Sequence, residues 1–363
     1  MTQVRLSAVV MTHPRRLDAA EQLRCDHPEL GLRVVMDPDP GGNPSALRTA
    51  RVAWSAVDEG ATHHLVLQDD VELGPGMLGQ VHAAIAARPE AAISLFAEFG
   101  WLTASVCRIA ALVGSPWAEV ADHYVPTQGL VLEAEVARGY EPWSRRLPES
   151  DLMDDGPMMQ YLREIGVPRW VIVPNLLEHT DAPSLLAHEF QGRRASVCFG
   201  PSGWDWSAAA VAPAMVPFIH WRTGRSLCLF GRQPHGHDWL RIATDQLLAR
   251  RGLSAAEQDA ELDRALAAAG MDAESVAQVG RERVRQLWLT AFAIGVAAAD
   301  LRDAGSPPVE SVLGAPVAAV AFSTMARGIL WRWVDDDVLR PALPGLDRVA
   351  EAGAGRGLAW TAS

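Results

Sequence analysis

The sequence contains no lysine: all 32 basic residues in its 363 positions are arginines. This absence excludes a lysine nucleophile and a lysine Schiff base, and it leaves arginine as the side chain available to pair with phosphate groups. The formal net charge is −12. An acidic chain of this kind is not expected to have nucleic acid or an anionic membrane surface as its principal partner.

Cysteine is also scarce. The four cysteines lie far apart and form no C-x-x-C pair. This spacing disfavours a zinc site or a disulfide framework and suits free thiols in a reducing compartment, so we predict a cytoplasmic protein. The N-terminus predicts a strand rather than a signal peptide, and the longest apolar stretch, residues 287–299, is too short for a transmembrane segment.

Three common nucleotide-binding and catalytic motifs are missing. The sequence has no G-x-G-x-x-G, no G-x-x-x-x-G-K-[ST] and no G-x-S-x-G. Dinucleotide-binding, P-loop and α/β-hydrolase interpretations therefore lack support. The chain is 49% hydrophobic, which is enough apolar material for the cores of two domains of ordinary size.

Strand and helix patterns alternate over roughly the first 200 residues, which is typical of an α/β domain with a parallel sheet. Short apolar runs predict strands over residues 4–11, 32–36, 64–68, 92–96, 128–132 and 169–173. Asn43 followed by Pro44 predicts the start of a helix. Residues 97–127 show no regular pattern, and we expect a connecting loop or lid there.

The pattern changes near residue 203, where long stretches rich in alanine, leucine and arginine begin. These stretches predict helices over residues 254–268, 282–300, 314–334 and 342–352. We therefore predict an α/β domain over residues 1–202 and a mainly helical domain or extension over residues 203–363. The helical region is also a candidate surface for homo-oligomer formation.

Two adjacent carboxylates, Asp69 and Asp70, follow the apolar strand that ends at Gln68. Ligands of open α/β sheets bind outside the carboxyl ends of the strands, where these acids would lie. A carboxylate pair there attracts a hard divalent cation, and such a cation attracts phosphate oxygens. The alternative is that Asp70 or Glu72 caps the helix expected near Pro75.

Two segments resemble motifs of glycosyltransferases of the GT-A type, in particular the bacterial family 2 and family 25 (lipopolysaccharide-type) sugar transferases. Residues 67–71, Leu-Gln-Asp-Asp-Val, resemble the Leu-Glu-Asp-Asp or Asp-x-Asp element at a strand end. Residues 174–184 resemble a closing Pro-x-Leu-Val-x-His-x-Gly-x-x-Ser segment. The resemblance covers roughly residues 4–200. Gln68 departs from the pattern, because the family usually has an acid there.

The resemblance implies a GT-A fold and a hexosyltransferase-like activity, in which a sugar moves from a nucleotide-diphosphate donor to an unknown acceptor hydroxyl. The cofactor would be Mn²⁺ or Mg²⁺, held by Asp70 and by His179 from the closing segment. Asp69 would contact a sugar or ribose hydroxyl or reach the cation through water, beside Gln68. The departing diphosphate needs its charge neutralised, which a divalent cation can do.

Asp154 and Asp155 precede a predicted helix and are the candidate catalytic base. An inverting transfer needs a carboxylate to take the proton of the attacking hydroxyl. One of the two could instead cap the helix, and the sequence does not say which.

The nucleotide is expected near the polar loop after the first strand and the acids after the second. In this interpretation Thr12, His13 and Arg15 lie against the base and ribose, and Asp37 or Asp39 accepts hydrogen bonds from the base. Candidate phosphate partners are arginines, namely Arg15, Arg48, Arg51, Arg193 and Arg194.

Two other functions fit parts of the same pattern. A nucleotidyltransferase uses a similar sheet and acidic metal site, but it usually has a glycine-rich basic loop after the first strand. Here that loop contains Arg15 and Arg16 without a glycine. A non-catalytic binding or assembly protein with a degenerate transferase domain is the alternative from another class, favoured by Gln68 and by the long helical extension.

Overall fold

The computed structural model describes residues 3–43, 45–147, 153–180, 194–200, 205–231, 240–302 and 309–360. The chain divides into two compact units, each made of two stretches. The first comprises residues 1–98 and 122–208, and the second comprises residues 99–121 and 209–363. Residues 99–121 fall within the predicted first domain, over residues 1–202, but belong to the second unit.

Strands and helices are numbered here in chain order. The strands are β1 (Leu6–Thr12), β2 (Arg33–Met36), β3 (His63–Gln68), β4 (Val71–Leu73), β5 (Ala92–Ser94), β6 (Trp117–Glu119), β7 (Gly129–Glu133), β8 (Arg169–Ile172), β9 (Leu177–His179), β10 (Met215–Ile219), β11 (Ser226–Phe230) and β12 (Leu240–Ala243). The helices are α1 (Leu17–Asp26), α2 (Ala46–Ser55), α3 (Met77–Ala87), α4 (Leu102–Val113), α5 (Ala134–Ser144), α6 (Asp155–Glu164), α7 (Thr244–Arg250), α8 (Ala255–Ala268), α9 (Ala273–Val279), α10 (Arg281–Ala299), α11 (Val309–Leu313), α12 (Pro316–Ser323), α13 (Met325–Leu330) and α14 (Asp336–Leu358).

A mostly parallel sheet forms the centre of the first unit, as the alternating pattern predicted. Its strands are hydrogen-bonded in the order β2-β1-β3-β7-β5-β8. β1 is parallel to β2 and β3, and β5 is parallel to β8, whereas β7 is antiparallel to both of its neighbours. Met11 lies opposite Gln68 and Thr12 lies opposite Met36. The carboxyl ends of β1, β2 and β3 therefore meet at one edge of the sheet.

A separate two-stranded ribbon lies beside the end of β3. β4 pairs antiparallel with β9, which places Val71 opposite His179. The backbone N–H of Thr180 donates to the carbonyl of Asp70 at 2.8 Å, and the N–H of Gly74 donates to the carbonyl of Leu176 at 2.8 Å. These backbone bonds hold the end of β9 against the residues that follow β3.

The predicted start of the second helix at Asn43 and Pro44 is wrong by two residues. Ser45 is the N-cap, and its hydroxyl accepts a hydrogen bond from the N–H of Arg48 at 3.2 Å. A serine hydroxyl satisfies one of the N–H groups that the first turn leaves without a partner, so α2 begins at Ala46.

The second unit is mainly helical, but it also contains an antiparallel sheet in the order β10-β11-β12, which the sequence had not predicted. A capping box between Ser254 and Glu257 begins α8, within the helix predicted over residues 254–268. None of the described helices combines the length and apolar character that a membrane span requires.

Glycines allow α10 and α14 to pack with their backbones in close approach. A Cβ atom on Gly357 would lie 2.0 Å from the carbonyl oxygen of Phe292, and one on Gly295 would lie 2.1 Å from that of Ala354. Neither position has room for a methyl group without moving a helix. The core of the second unit therefore depends on these small residues.

The expectation of a loop or lid over residues 97–127 is wrong, because α4 and β6 lie within that range. Residues 103–112 of α4 are all buried, Arg108 included. Arg108 donates to the carbonyl oxygens of Ala321 at 2.8 Å and Phe99 at 3.0 Å. Arg108 is the one charged residue of α4, so the helix lacks the charged, solvent-exposed face by which a surface helix is usually recognised.

Candidate functional site

A cleft in the first unit opens at the carboxyl ends of β1 and β3, beside the start of α6. It encloses about 870 Å³, including open solvent at its mouth. Most of its lining is polar, and five of the lining side chains are aspartates. The residues around it are Met11, Thr12, His13, Arg16, Asp37, Ser45, Ala46, Thr49, Gln68, Asp69, Asp70, Thr127, Gln128, Met153, Asp154, Asp155 and Arg194.

Asp69 is held from two sides. The hydroxyl of Thr12, the last residue of β1, donates to Oδ2, and Nη1 of Arg16 donates to Oδ1 at 3.0 Å. Burial raises the pKa of Asp69, and the neighbouring charge of Asp70 raises it further, whereas Thr12 and Arg16 lower it. The outcome is a pKa above the ordinary value. The contact between Thr12 and Asp69 follows from the pairing of β1 with β3.

Asp70 and His179 lie together although they are far apart in the sequence. Nε2 of His179 is 3.4 Å from Oδ2 of Asp70, and both residues are buried, at 6% and 7% exposure. The same Oδ2 accepts a hydrogen bond from Nη1 of Arg16 at 3.0 Å. Burial by itself would raise the pKa of Asp70, but His179 and Arg16 outweigh it and hold the pKa at about 2.

Two buried polar atoms in this pair, Oδ1 of Asp70 and Nδ1 of His179, lack hydrogen-bond partners among the described residues. Nε2 of His179 makes the ion-pair contact with Oδ2 of Asp70 at 3.4 Å but no hydrogen bond of good geometry there. Buried polar atoms are normally paired, so unpaired ones of this kind call for an explanation. A carboxylate oxygen and an imidazole nitrogen are both ordinary ligands of Mn²⁺, and the pair therefore fits a divalent cation.

The protein supplies few ligands to such a cation. Within the described residues, no group of three or more histidine, cysteine, aspartate or glutamate side chains is arranged to hold a metal ion. A site built on Asp70 and His179 alone leaves the remaining coordination positions to water and to ligand oxygens. This is the usual arrangement where a cation binds together with phosphate groups.

Asp154 and Asp155 both line the cleft, but their surroundings differ. Asp154 is 4% exposed, and burial together with the charge of Asp155 raises its pKa to about 7, while Thr127 lowers it. Asp154 occupies the N-cap position of α6 without a side-chain capping bond, and Asp155 is the first residue of the helix. Of the two acids that could cap the helix, Asp154 makes no side-chain capping bond.

Asp37 lines the cleft, but Arg48 already engages its carboxylate. Nε and Nη2 of Arg48 donate to Oδ1 and Oδ2 of Asp37, each at 2.7 Å. Nη2 of Arg48 also donates to the backbone carbonyl of Asp39 at 2.8 Å. The side chain of Asp39 itself is exposed and does not line the cleft. Burial raises the pKa of Asp37, but Arg48 outweighs it and the pKa is lowered. Arg48 thus orders the loop after β2.

The remaining predicted residues are placed as follows. Nδ1 of His13 accepts the N–H of Arg15, and the His13 ring lines the cleft, whereas Arg15 is exposed and is not among the lining residues. Nε2 of Gln68 donates to the hydroxyl of Thr127 at 3.3 Å. Arg51 binds Ser144 in α5 rather than facing the cleft. Arg193 lies outside the described residues, and Arg194 lines the cleft.

The sequence had not singled out Arg16 and Thr127, both of which contact site residues. Arg16 lies in the short 3₁₀ turn Pro14–Arg16 directly after β1. Its position at the end of a strand was the one feature of the sequence that could have indicated a site residue. Two adjacent arginines gave no means of deciding which one faced the acids. Thr127 precedes β7 and lies beside Gln68 because β3 and β7 are paired.

The chain was also compared with known proteins. No protein-family model matches its sequence, and no curated protein matches it.

Proposed function

We propose that this chain is a glycosyltransferase that moves a sugar from a nucleotide-diphosphate donor to an acceptor hydroxyl with the help of Mn²⁺ or Mg²⁺. The observation that carries the proposal is the buried Asp70–His179 pair, with Oδ1 of Asp70 and Nδ1 of His179 unpaired within the described structure. The pair lies beside a cleft at the carboxyl ends of parallel strands, where α/β proteins commonly bind nucleotides.

The charges in the cleft support a cation as part of the ligand. Five aspartates line the cleft, against two arginines, Arg16 and Arg194. A diphosphate entering alone would meet net repulsion from the carboxylates at close range. A divalent cation that binds together with the diphosphate reverses this balance, and when bound it would neutralise the charge that develops on the leaving group.

Asp154 is the proposed base. A carboxylate with a pKa of about 7 is matched to accepting a proton near neutral pH. In the transfer, the bond between the anomeric carbon and the diphosphate oxygen breaks while the acceptor oxygen bonds to that carbon. The acceptor proton passes to the Asp154 carboxylate, and the electron pair of the broken bond leaves with the diphosphate.

The rest of the cleft would hold the nucleotide and the phosphates. His13, Ser45 and Thr49 offer hydrogen-bonding groups between the ends of β1 and β2 and the start of α2. Asp69 is held by hydrogen bonds from Thr12 and Arg16. Its carboxylate would accept a hydrogen bond from a hydroxyl of the ribose or the sugar. Arg194 is the second guanidinium available to phosphate oxygens in this cleft.

The test is incubation with a panel of nucleotide sugars and Mn²⁺, with slow donor hydrolysis as the signal when the acceptor is unknown. We expect hydrolysis of at least one donor, lost in Asp70→Asn. Arg15→Gln is the control, because Arg15 is a charged residue in the turn after β1 and lies outside the cleft lining. Failure of every nucleotide and nucleotide sugar to bind would contradict the proposal.

A further inference from the structure

Arg16 occupies the space between the two carboxylates of the cleft. Its Nη1 atom lies 3.0 Å from Oδ1 of Asp69 and 3.0 Å from Oδ2 of Asp70. The side chain is 15% exposed and comes from the turn directly after β1. One guanidinium nitrogen therefore bridges the carboxylates of Asp69 and Asp70, next to the Asp70–His179 pair.

The contacts of Asp70 show that the guanidinium and a metal ion would compete. Oδ2 of Asp70 receives Nη1 of Arg16 and also faces Nε2 of His179 at 3.4 Å. A dication held by Asp70 and His179 would lie next to the positive charge of Arg16. Like charges at such short range repel strongly inside a protein, where water screens them poorly.

We propose that Arg16 acts as a resident cation that keeps metal affinity low until a diphosphate is present. In the free protein the guanidinium offsets part of the negative charge of Asp69 and Asp70. When a metal–diphosphate complex enters, Arg16 turns from the carboxylates to a phosphate oxygen, and the metal takes its place on Asp70. Metal and diphosphate then bind cooperatively, and Arg16 is the positioning residue that couples them. This inference rests on the proposed function.

Arg16 suits this change of partner for two reasons. It lines the cleft together with Asp69 and Asp70, so a ligand in the cleft lies within reach of its long side chain. A guanidinium binds carboxylate and phosphate oxygens with similar geometry, so little is lost when one replaces the other. The step changes ionic partners and involves no covalent bond.

The experiment is equilibrium dialysis of Mn²⁺ against the full chain, with and without inorganic pyrophosphate at equal concentration on both sides. The difference in total Mn²⁺ concentration between the two sides then equals the concentration of protein-bound Mn²⁺. For the wild type we expect pyrophosphate to tighten Mn²⁺ binding by at least about tenfold, within the usual range of coupling between two sites. Arg16→Gln should bind Mn²⁺ alone about tenfold more tightly than the wild type and lose most of the pyrophosphate effect.

Arg15→Gln is the matched control for the loss of one positive charge from the same turn. Its side chain is exposed and does not line the cleft, so both affinities should remain those of the wild type. Arg16→Met serves as a second variant if Arg16→Gln does not fold. Its unbranched side chain carries no charge, so Mn²⁺ alone should again bind more tightly than in the wild type.

The outcomes separate this inference from the proposed function. Equal Mn²⁺ affinity in the wild type and in the folded Arg16 variant overturns the role of Arg16, while the metal site and the proposed function stand. An equal gain in Mn²⁺ affinity in Arg15→Gln also overturns the role of Arg16, because the gain would then come from the loss of any positive charge near the cleft. If no protein binds Mn²⁺ with or without pyrophosphate, the metal site of the proposed function fails, and the inference fails with it.

Discussion

Nε2 of His179 lies 3.4 Å from Oδ2 of Asp70 because the backbone of β9 is paired with β4 next to Asp70. The N–H of Thr180 bonds to the carbonyl of Asp70 itself, so residues on both sides of the contact are fixed by the backbone. The position of the imidazole is thus determined by strand pairing. A site of this kind is preorganised, since a bound cation would not have to bring the two segments together.

Asp154→Asn should lower the transfer or donor-hydrolysis rate by about 10²–10⁴-fold, the usual effect of removing a general base. The wild-type rate should rise with pH through about 7, because Asp154 must be deprotonated to accept the proton. The measurement is a pH–rate profile of both proteins with a saturating donor. In the variant the rise near pH 7 should be absent.

Asp155→Asn is the matched comparison for that experiment, since it removes the neighbouring carboxylate. Loss of the Asp155 charge should lower the pKa of Asp154, because Asp155 helps to raise it. The rise in rate should therefore move to lower pH, with the maximal rate largely kept. A large loss of maximal rate in Asp155→Asn, with a small one in Asp154→Asn, would assign the base to Asp155 instead.

Asp154 should also make stability depend on pH. Its pKa is raised from the ordinary 3.8 to about 7, so the folded state binds the proton more tightly than the unfolded state does. Stability should therefore fall as pH rises from about 4 to about 7, by an amount on the order of a few kcal/mol. Urea unfolding at pH 5 and pH 8 measures this, and Asp154→Asn should show a smaller fall. An equal fall in both proteins would contradict the assignment.

Gly357→Ala should destabilise the second unit by roughly 1–3 kcal/mol or more, the usual cost of overpacking a core. The new methyl group would meet the Phe292 carbonyl, and α10 and α14 would have to move apart. The control is Gly79→Ala in α3, where nothing lies within 4 Å of the added carbon. That change should be neutral or stabilise by up to about 1 kcal/mol. The measurement is thermal unfolding of the two variants. Equal melting temperatures would contradict the close packing of α10 against α14.

Much of the first unit could be predicted, because its strands are buried apolar runs that end in polar turns. The predicted strand over residues 64–68 is β3 (His63–Gln68), for example. The missing elements have identifiable reasons. Residues 103–112 of α4 are all buried, so the helix has no charged, solvent-exposed face. β10 contains Pro217, which argues against a strand, and it lies at the edge of its sheet, where proline is tolerated.

The candidate site was predictable where it depended on position at strand ends and unpredictable where it depended on side-chain direction. Asp69, Asp70 and Asp37 line the cleft because each follows a parallel strand. Which of the adjacent residues Arg15 and Arg16 faces the acids depends on the geometry of one turn, which periodicity does not reveal. The pairing of β4 with β9 is a long-range contact between three-residue strands, and their apolar patterns are too short to indicate a partner.

The most direct test of the proposed metal site is Mn²⁺ binding in the presence of pyrophosphate by the wild type, Asp70→Asn, His179→Gln and the control His63→Gln. His63 is as buried as His179, at 6% exposure, but it lies at the opposite end of β3 from Asp70. Loss of either proposed ligand should weaken Mn²⁺ binding by about 10–100-fold or more, and the control should bind like the wild type. Unchanged Mn²⁺ binding in folded His179→Gln and Asp70→Asn would contradict the account.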